Sequence, residues 1–388
     1  MNRRELLIAT GTLPLSLHSS LSNSATSQDR RNKANRLSAL HRMPNYTTTN
    51  AKLIRGSKPA ADGFRYPAEW EKHECTIMAM PPPQNWRGYG YSVTEVRKQW
   101  ASVANKLVQY EPVLLIVSPN ELNQVRSLVS RTIELVPLPL NDGWSRDSGP
   151  MFLVNDQGDR RIAGFTFNGW GGKFPPFKDD ALLKARLAHH LDIAMYPINQ
   201  VMEGGAVAVD GEGTLITTEQ CLLNKNRTAS VGRQQAEKSL CESLAVSKVI
   251  WLDKGLAPDP ITDGHVDGLA AFAEPGTVLL HTTMDKSDLN YRITQDAKRR
   301  LEAAKDAKGR SIEIVEVPLD GDISYINFYI GNGCVLVPAT GDRRQDARPL
   351  GVIREVFDKD YDVVPINANI LGEGGGGIHC ITQQVPAV

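Results

Sequence analysis

The chain has 388 residues, 41% apolar and 23% charged, with no net charge, which is the composition of a globular protein with ample core. The charge is unevenly spread: residues 1–58 carry ten Lys/Arg against two acids, leaving 34 against 42 in the remainder. A body of negative sign argues against nucleic acid as a partner and mildly favours cationic small ligands.

The N-terminus, MNRRELLIATGTLPLSLHSSLSNSA, sets Arg3 and Arg4 ahead of an apolar run from Leu6 to Leu17. That run is too short to span a bilayer, so no stable membrane insertion is expected. The pattern resembles a twin-arginine export signal over residues 1–25, with a periplasmic or extracellular location as its consequence. Without export the protein would be cytoplasmic. Residues 26–62, rich in Ser, Thr, Asn and Arg, read as a flexible basic linker.

From residue 63 the chain repeats itself. A glycine followed by a short apolar strand occurs at Gly149, Gly213, Gly276 and Gly333, spaced 64, 63 and 57 residues apart. A second phrase, a strand closing near proline, occurs around Pro139, Pro197, Pro318 and Pro365, with VIWLDKG filling the same slot near Leu252. Between them lie five stretches of helical period: VTEVRKQWASVANKLVQY, DDALLKARLAHHL, RQQAEKSLCESL, YRITQDAKRRLEAAKDA and ARPLGVIREVF. The reading is one α/β domain over 63–388, built of five strand–helix units of roughly 65 residues.

Each strand-closing phrase leads into a polar turn. In order these turns offer Trp144 and Asp147 in NDGWSRDSGP, Glu203 in NQVMEGG, His265 and Asp267 in DPITDGHVDG, Asn327 in DGDISYINFY, and Cys380 after the glycine run of GEGGGGIHC. If the units are arranged radially, the turns converge on one pocket, and the glycines let the backbone approach it closely. A Cys and a distant His form a candidate nucleophile and acid/base pair. Carboxylates beside them suit a cation, and a guanidinium presents paired N–H donors that match Asp147 and Asp267. Trp144 would pack on the substrate, Glu203 would orient His265, and Cys380 would attack the guanidinium carbon.

The remaining cysteines, 75, 221, 241 and 334, sit in apolar or helical runs and read as buried structural residues without a disulfide framework. His379 beside Cys380 suggests a metal site, but neighbouring strand residues point to opposite faces, so no metal is expected.

The segments NDGWSRDSGPMFLVN, FNGWGGK, EGGAVAVDGEGTLITTEQCLLNKNR, TDGHVD, YINFYI and GGIHCITQQVP together resemble the agmatine deiminase and bacterial peptidylarginine deiminase family over residues 64–386. The resemblance implies the pentein fold, a five-bladed pseudosymmetric α/β propeller, and hydrolysis of a guanidinium without metal or cofactor. It places the nucleophile at Cys380, the acid/base at His265, its partner at Glu203, and guanidinium ligands at Asp147 and Asp267. Trp144, Asn327 and Gly377 fall among its substrate-binding positions. The expected reaction is agmatine to N-carbamoylputrescine and ammonia. Three departures bear on the substrate: Ile261 stands where the family has an acid before TDGH, Gly268 follows HVD in place of Asn, and Gly377 replaces Asn before IHC. A peptidyl-arginine substrate is the alternative; Arg146, Arg160, Arg161 and Lys173 are candidates to meet its carboxylate. Amidinotransfer and an inactive guanidino-binding propeller stand further off. Self-association into a homo-oligomer is left open.

Overall fold

The computed structural model describes residues 41–83, 90–228, 232–319, 321 and 323–388. The segment read as an export signal lies outside them. No described helix is long and apolar enough to cross a membrane.

Sixteen strands form five small sheets. The second contains β4 (Met151–Val154), β5 (Arg160–Thr166) and β6 (Met195–Val201); the third β7 (Val207–Val209), β8 (Thr214–Thr218) and β9 (Lys248–Leu252). The fourth contains β10 (Ala270–Glu274), β11 (Thr277–Thr282) and β12 (Glu313–Pro318); the fifth β13 (Tyr329–Gly331), β14 (Cys334–Ala339) and β15 (Asp362–Asn367). In each, the first strand pairs antiparallel with the second, and the second parallel with the third. A parallel pair needs a long crossover, and one helix supplies it every time.

The first sheet explains the chain terminus. It contains β1 (His73–Ala79), β2 (Val113–Val117) and β3 (Glu134–Pro137), while its antiparallel member is β16 (Thr382–Pro386). Thr382 pairs with Met78 and Pro386 with His73, so the last residues close the ring by completing the first blade. This is the five-bladed α/β propeller, one unit per predicted repeat.

The crossover helices are α1 (Val93–Leu107), α2 (Lys178–His190), α3 (Arg233–Leu244), α4 (Tyr291–Ala303) and α5 (Arg343–Phe357), each on a predicted helical stretch. The start of α1 is set by a capping box: Ser92 accepts from the Glu95 backbone and the Glu95 side chain accepts in return. Its apolar stripe, including Val96, Trp100, Val103 and Leu107, is buried against the strands. The middle strands β2, β8, β11 and β14 are buried along their whole length, as expected of strands covered on both faces.

Two expectations need correction. The repeat is out of phase in the second blade: Gly149 precedes β4, the first strand, whereas Gly213, Gly276 and Gly333 precede middle strands. The equivalent of those is β5, whose Arg160-Arg161 start hid it from an apolar pattern. The expected linker 26–62 is folded over its described half. Tyr46 is buried, Leu53 bridges to Met195, and the amides of Ile54 and Met195 donate to Met195 and Lys52 carbonyls. Polar composition concealed a segment held by backbone hydrogen bonds, which composition does not report.

Candidate active site

The five polar turns occupy one recurrent place in the fold. Asp147, Glu203, Asp267, Asn327 and Cys380 each lie two to four residues before the first strand of a blade, counting β16 as the first strand of blade one. Equivalent positions of a closed ring face the same centre, so residues far apart in sequence meet.

Cys380 sits in the single helical turn His379–Ile381 and is buried. Its Sγ lies 3.3 Å from Asn327 Oδ1 and 3.5 Å from Asp267 Oδ2. The glycine run makes this approach feasible. A Cβ on Gly376 would come within 2.4 Å of the Trp144 ring, and one on Gly377 within 2.4 Å of Asn327 Oδ1. Gly375 has φ +90° and faces Ile261. Trp144 is fixed in turn by an edge contact with Trp100, ring centroids 5.4 Å apart.

His265 is buried between two acids, with Asp147 Oδ1 3.9 Å from Nδ1 and Glu203 Oε2 3.6 Å from Nε2. Nε2 thus faces Glu203, which leaves Nδ1, on the Asp147 and Gly205 side, as the nitrogen turned toward the centre of the site. Asp147 is held by the Trp170 indole N–H at 2.8 Å and the Gly205 amide at 3.1 Å. Gly205 sits at the centre: a Cβ there would lie 2.7 Å from both Asp267 Oδ2 and His265 Nδ1, and 3.1 Å from Asp147 Oδ1. The second glycine of the EGG segment is required by space.

The charges are arranged in opposition. Burial resists the imidazolium of His265, but Asp147 and Glu203 outweigh it and raise its pKa well above the usual value. Burial would also raise Glu203, yet Arg227 and His265 hold its carboxyl at about 2. Burial drives Asp147 up against the pull of His265. Asp267 stays low, despite burial, because His379 donates to it. The Cys380 thiol is pushed well above its usual value, by burial first and then by Asp267 and Asp147. The two carboxylates nearest the thiol, Asp267 and Asp147, are thus what disfavours its ionisation after burial itself.

Four features escaped the sequence reading. Arg227 clamps both oxygens of Glu203 through Nε, at 2.8 and 3.0 Å, although it ends the quoted segment EGGAV…NKNR. Trp170, within FNGWGGK, anchors Asp147. Cys221, expected to be inert core, is buried beside His265 and Glu203. These three side chains could converge on an ion, but Arg227 already supplies the cation to Glu203. Finally, His379 and Cys380 do not both face the substrate cavity, as expected, yet His379 reaches the site from behind. Because the backbone is helical there, its Nδ1 reaches Asp267 Oδ2 at 2.9 Å.

A cavity of about 810 Å³ opens outward from this centre, lined by His265, Asp267, Asn327, Gly377 and Cys380 at its floor. Ile261, Gly268, Asp259, Asp288 and Glu373 line the walls, and its described lining contains no Lys or Arg. Each cation proposed for a carboxylate is engaged elsewhere: Arg146 with Glu69, Arg160 with Glu74, Lys173 with Asp263, and Arg161 over the Phe64 ring.

Comparison with known proteins identifies the family. A sequence model of the Porphyromonas-type peptidyl-arginine deiminase family matches residues 65–386. Agmatine deiminase of Pseudomonas aeruginosa is 39% identical, covering 85% of this chain and 98% of its own. That of Ectopseudomonas mendocina is also 39% identical, covering 85% and 97%. The structure of agmatine deiminase from Enterococcus faecalis superposes with a TM-score of 0.82 at 36% identity, over 87% of this chain and 100% of that one. The match runs from the first blade through the closing strand and spans every turn that builds the pocket, and on that ground the chain belongs to the Porphyromonas-type peptidyl-arginine deiminase family.

Proposed function

We propose that this chain hydrolyses agmatine to N-carbamoylputrescine and ammonia. A single observation carries the choice of substrate: a thiol, an imidazole and the Asp267 carboxylate share the floor of a cavity whose described walls hold acids and no cation, with Asp147 buried next to His265 behind it. A guanidinium suits the space between Asp147 and Asp267, which both lie against Gly205, and its two N–H edges match paired carboxylates. Above it, Ile261 offers an apolar wall to a methylene chain, and Asp288 and Glu373 lie on the side where a terminal ammonium would emerge. Asp259 is spent within its own turn, accepting from the amides of Ile261, Thr262 and Gly264. A peptidyl-arginine substrate would bring a carboxylate into this acidic surround.

The chemistry follows from the charges. With the site empty, the thiol is neutral and His265 is charged. The arriving guanidinium offsets Asp147 and Asp267, which lets Cys380 release its proton to solvent through the open cavity, to be regained from the hydroxyl when the C–S bond breaks, and attack the guanidinium carbon. His265 protonates the departing nitrogen, and ammonia leaves an S-alkylthiouronium on Cys380. The neutral imidazole then takes a proton from water, whose oxygen adds to the same carbon. The C–S bond breaks and the ureido product is released. Glu203, fixed by Arg227, keeps the His265 ring in place through both proton transfers. Trp144 and Asn327 hold the thiol and the planar substrate in register, and Gly377 keeps the approach to them open.

The test is ammonia release from agmatine, free arginine and a peptide ending in arginine, each beside a Cys380→Ala control. Cys380-dependent release from agmatine is expected. Release from the peptide alone would move the chain to protein modification, and transfer to an added amine would make it an amidinotransferase. No Cys380-dependent release would leave a guanidino-binding propeller. For the twin-arginine-like start we propose export, tested by whether the Arg3→Lys, Arg4→Lys double variant loses a periplasmic fraction.

A further inference from the structure

His379 does not line the substrate cavity. It lies behind Asp267, in a second small cavity lined also by Glu69, Trp70, Phe272 and Phe328. Its Nδ1 is 2.9 Å from Asp267 Oδ2 and its Nε2 is 2.8 Å from Glu69 Oε1. The same Asp267 Oδ2 is the oxygen nearest the Cys380 thiol on that side, at 3.5 Å. An ionised carboxylate only accepts, and a neutral imidazole has one N–H to give. Two acceptors on two ring nitrogens therefore require both nitrogens to carry hydrogen. Glu69 is kept ionised from its other side by Arg146 Nη1 at 3.0 Å, and Arg146 also donates through Nε to the His379 carbonyl at 3.3 Å.

We propose that His379 is a positioning residue, held as an imidazolium that fixes Asp267 and moderates the negative charge that Asp267 and Asp147 place on Cys380. The charged groups around the ring are Asp267 from the turn before β10, Glu69 from the approach to β1, and Arg146 from the helical turn Ser145–Ser148. His73 and Tyr66 lie beyond Glu69. Burial and then Arg146 oppose the charge on the ring, and Glu69 and Asp267 together outweigh them, in keeping with a raised His379 pKa. The chain Cys380–Asp267–His379–Glu69–Arg146 alternates in sign after the thiol. Each carboxylate is oriented by a cation on its far side, so Asp267 presents a fixed oxygen to the substrate and cannot swing. The inference rests on the reading of Cys380 as nucleophile and Asp267 as guanidinium ligand.

The test uses the full chain with His379→Asn and Glu69→Gln. Alkylation of Cys380 by iodoacetamide, followed by peptide mass from pH 6 to 11, reports the thiol without any substrate. Losing a cation this close should move the alkylation midpoint upward by about one unit in His379→Asn. Glu69→Gln keeps the packing but removes an anion as well as one hold on the imidazolium, two opposed effects on the thiol, so its midpoint should stay below that of His379→Asn. Specific activity on agmatine, as kcat/KM, should fall about tenfold to a hundredfold in His379→Asn, the effect of one charge-assisted hydrogen bond. A midpoint that superposes on the wild type in a folded His379 variant would overturn the proposal. If His379→Asn does not fold, His379→Gln, closer in volume to the imidazole and equally uncharged, decides by the same upward shift. Absence of agmatine turnover in the wild type would refute the substrate assignment and leave the alkylation result valid.

Discussion

Gly205→Ala places one methyl group at the centre of the pocket. Gly205 does not occupy the left-handed region, so alanine can adopt its backbone and the outcome depends on space. The new Cβ would stand 2.7 Å from Asp267 Oδ2 and His265 Nδ1, and 3.1 Å from Asp147 Oδ1. Ordinary carbon–oxygen contacts need about 3.4 Å or more, so Asp267 and His265 must each yield by roughly half an ångström or more. Both are tethered, Asp267 by His379 at 2.9 Å and His265 between two acids, so the displacement cannot be absorbed at a surface. Overpacking of this kind costs about 1–3 kcal/mol of stability. Misplacing groups by up to an ångström costs about a hundredfold in rate. The assay is kcat/KM for ammonia release together with a urea unfolding curve. Gly351→Ala is the comparison: that glycine lies inside α5, and a Cβ there meets nothing within 4 Å. It should stabilise by about 0.5–1 kcal/mol and leave turnover unchanged. A Gly205→Ala enzyme within threefold of wild-type kcat/KM would refute the claim that this glycine is fixed by the site.

Arg227→Met should destabilise the chain by about 3–5 kcal/mol, because it leaves fully buried Glu203 without its cation; a urea midpoint near the wild type would contradict this. Glu373→Gln should raise KM for agmatine several-fold with kcat nearly unchanged, since it touches the tail and not the reacting carbon; an equal fall in kcat would place Glu373 elsewhere in the reaction. Glu69 and Glu203 both have carboxyl pKa values of about 2 against 4.5 when exposed. Their folded values are depressed, so the stability they confer is complete above pH 4.5 and is lost as pH falls through about 2. Each contributes about 3 kcal/mol, and unfolding free energy measured from pH 7 down to 2.5 should fall over that window. In Glu69→Gln the acid-side fall should be shallower.

Five amphipathic stretches and five turns, each with a reactive-type residue, were enough to foretell a ring of five units, because hydrophobic period and turn chemistry are local properties of the chain. The same turns supplied Cys380, His265, Glu203, Asp147, Asp267, Trp144, Asn327 and Gly377, and family resemblance placed each in a pocket. What the sequence could not supply was who stands behind these residues. Arg227 and Glu203 are 24 positions apart, and Glu69 and His379 are 310 apart; nothing in either neighbourhood marks them as pairs. Alternation was right that His379 would not share the cavity with Cys380, but only the helical turn at 379–381 brought its ring to the back of the carboxylate that Cys380 also touches. Periodicity reports which face of an element is covered, whereas charge pairing depends on where separate elements arrive. In this protein the fold, and the turn residues that meet at its centre, were legible from the chain, and the electrostatic setting of those residues was decided by ring closure.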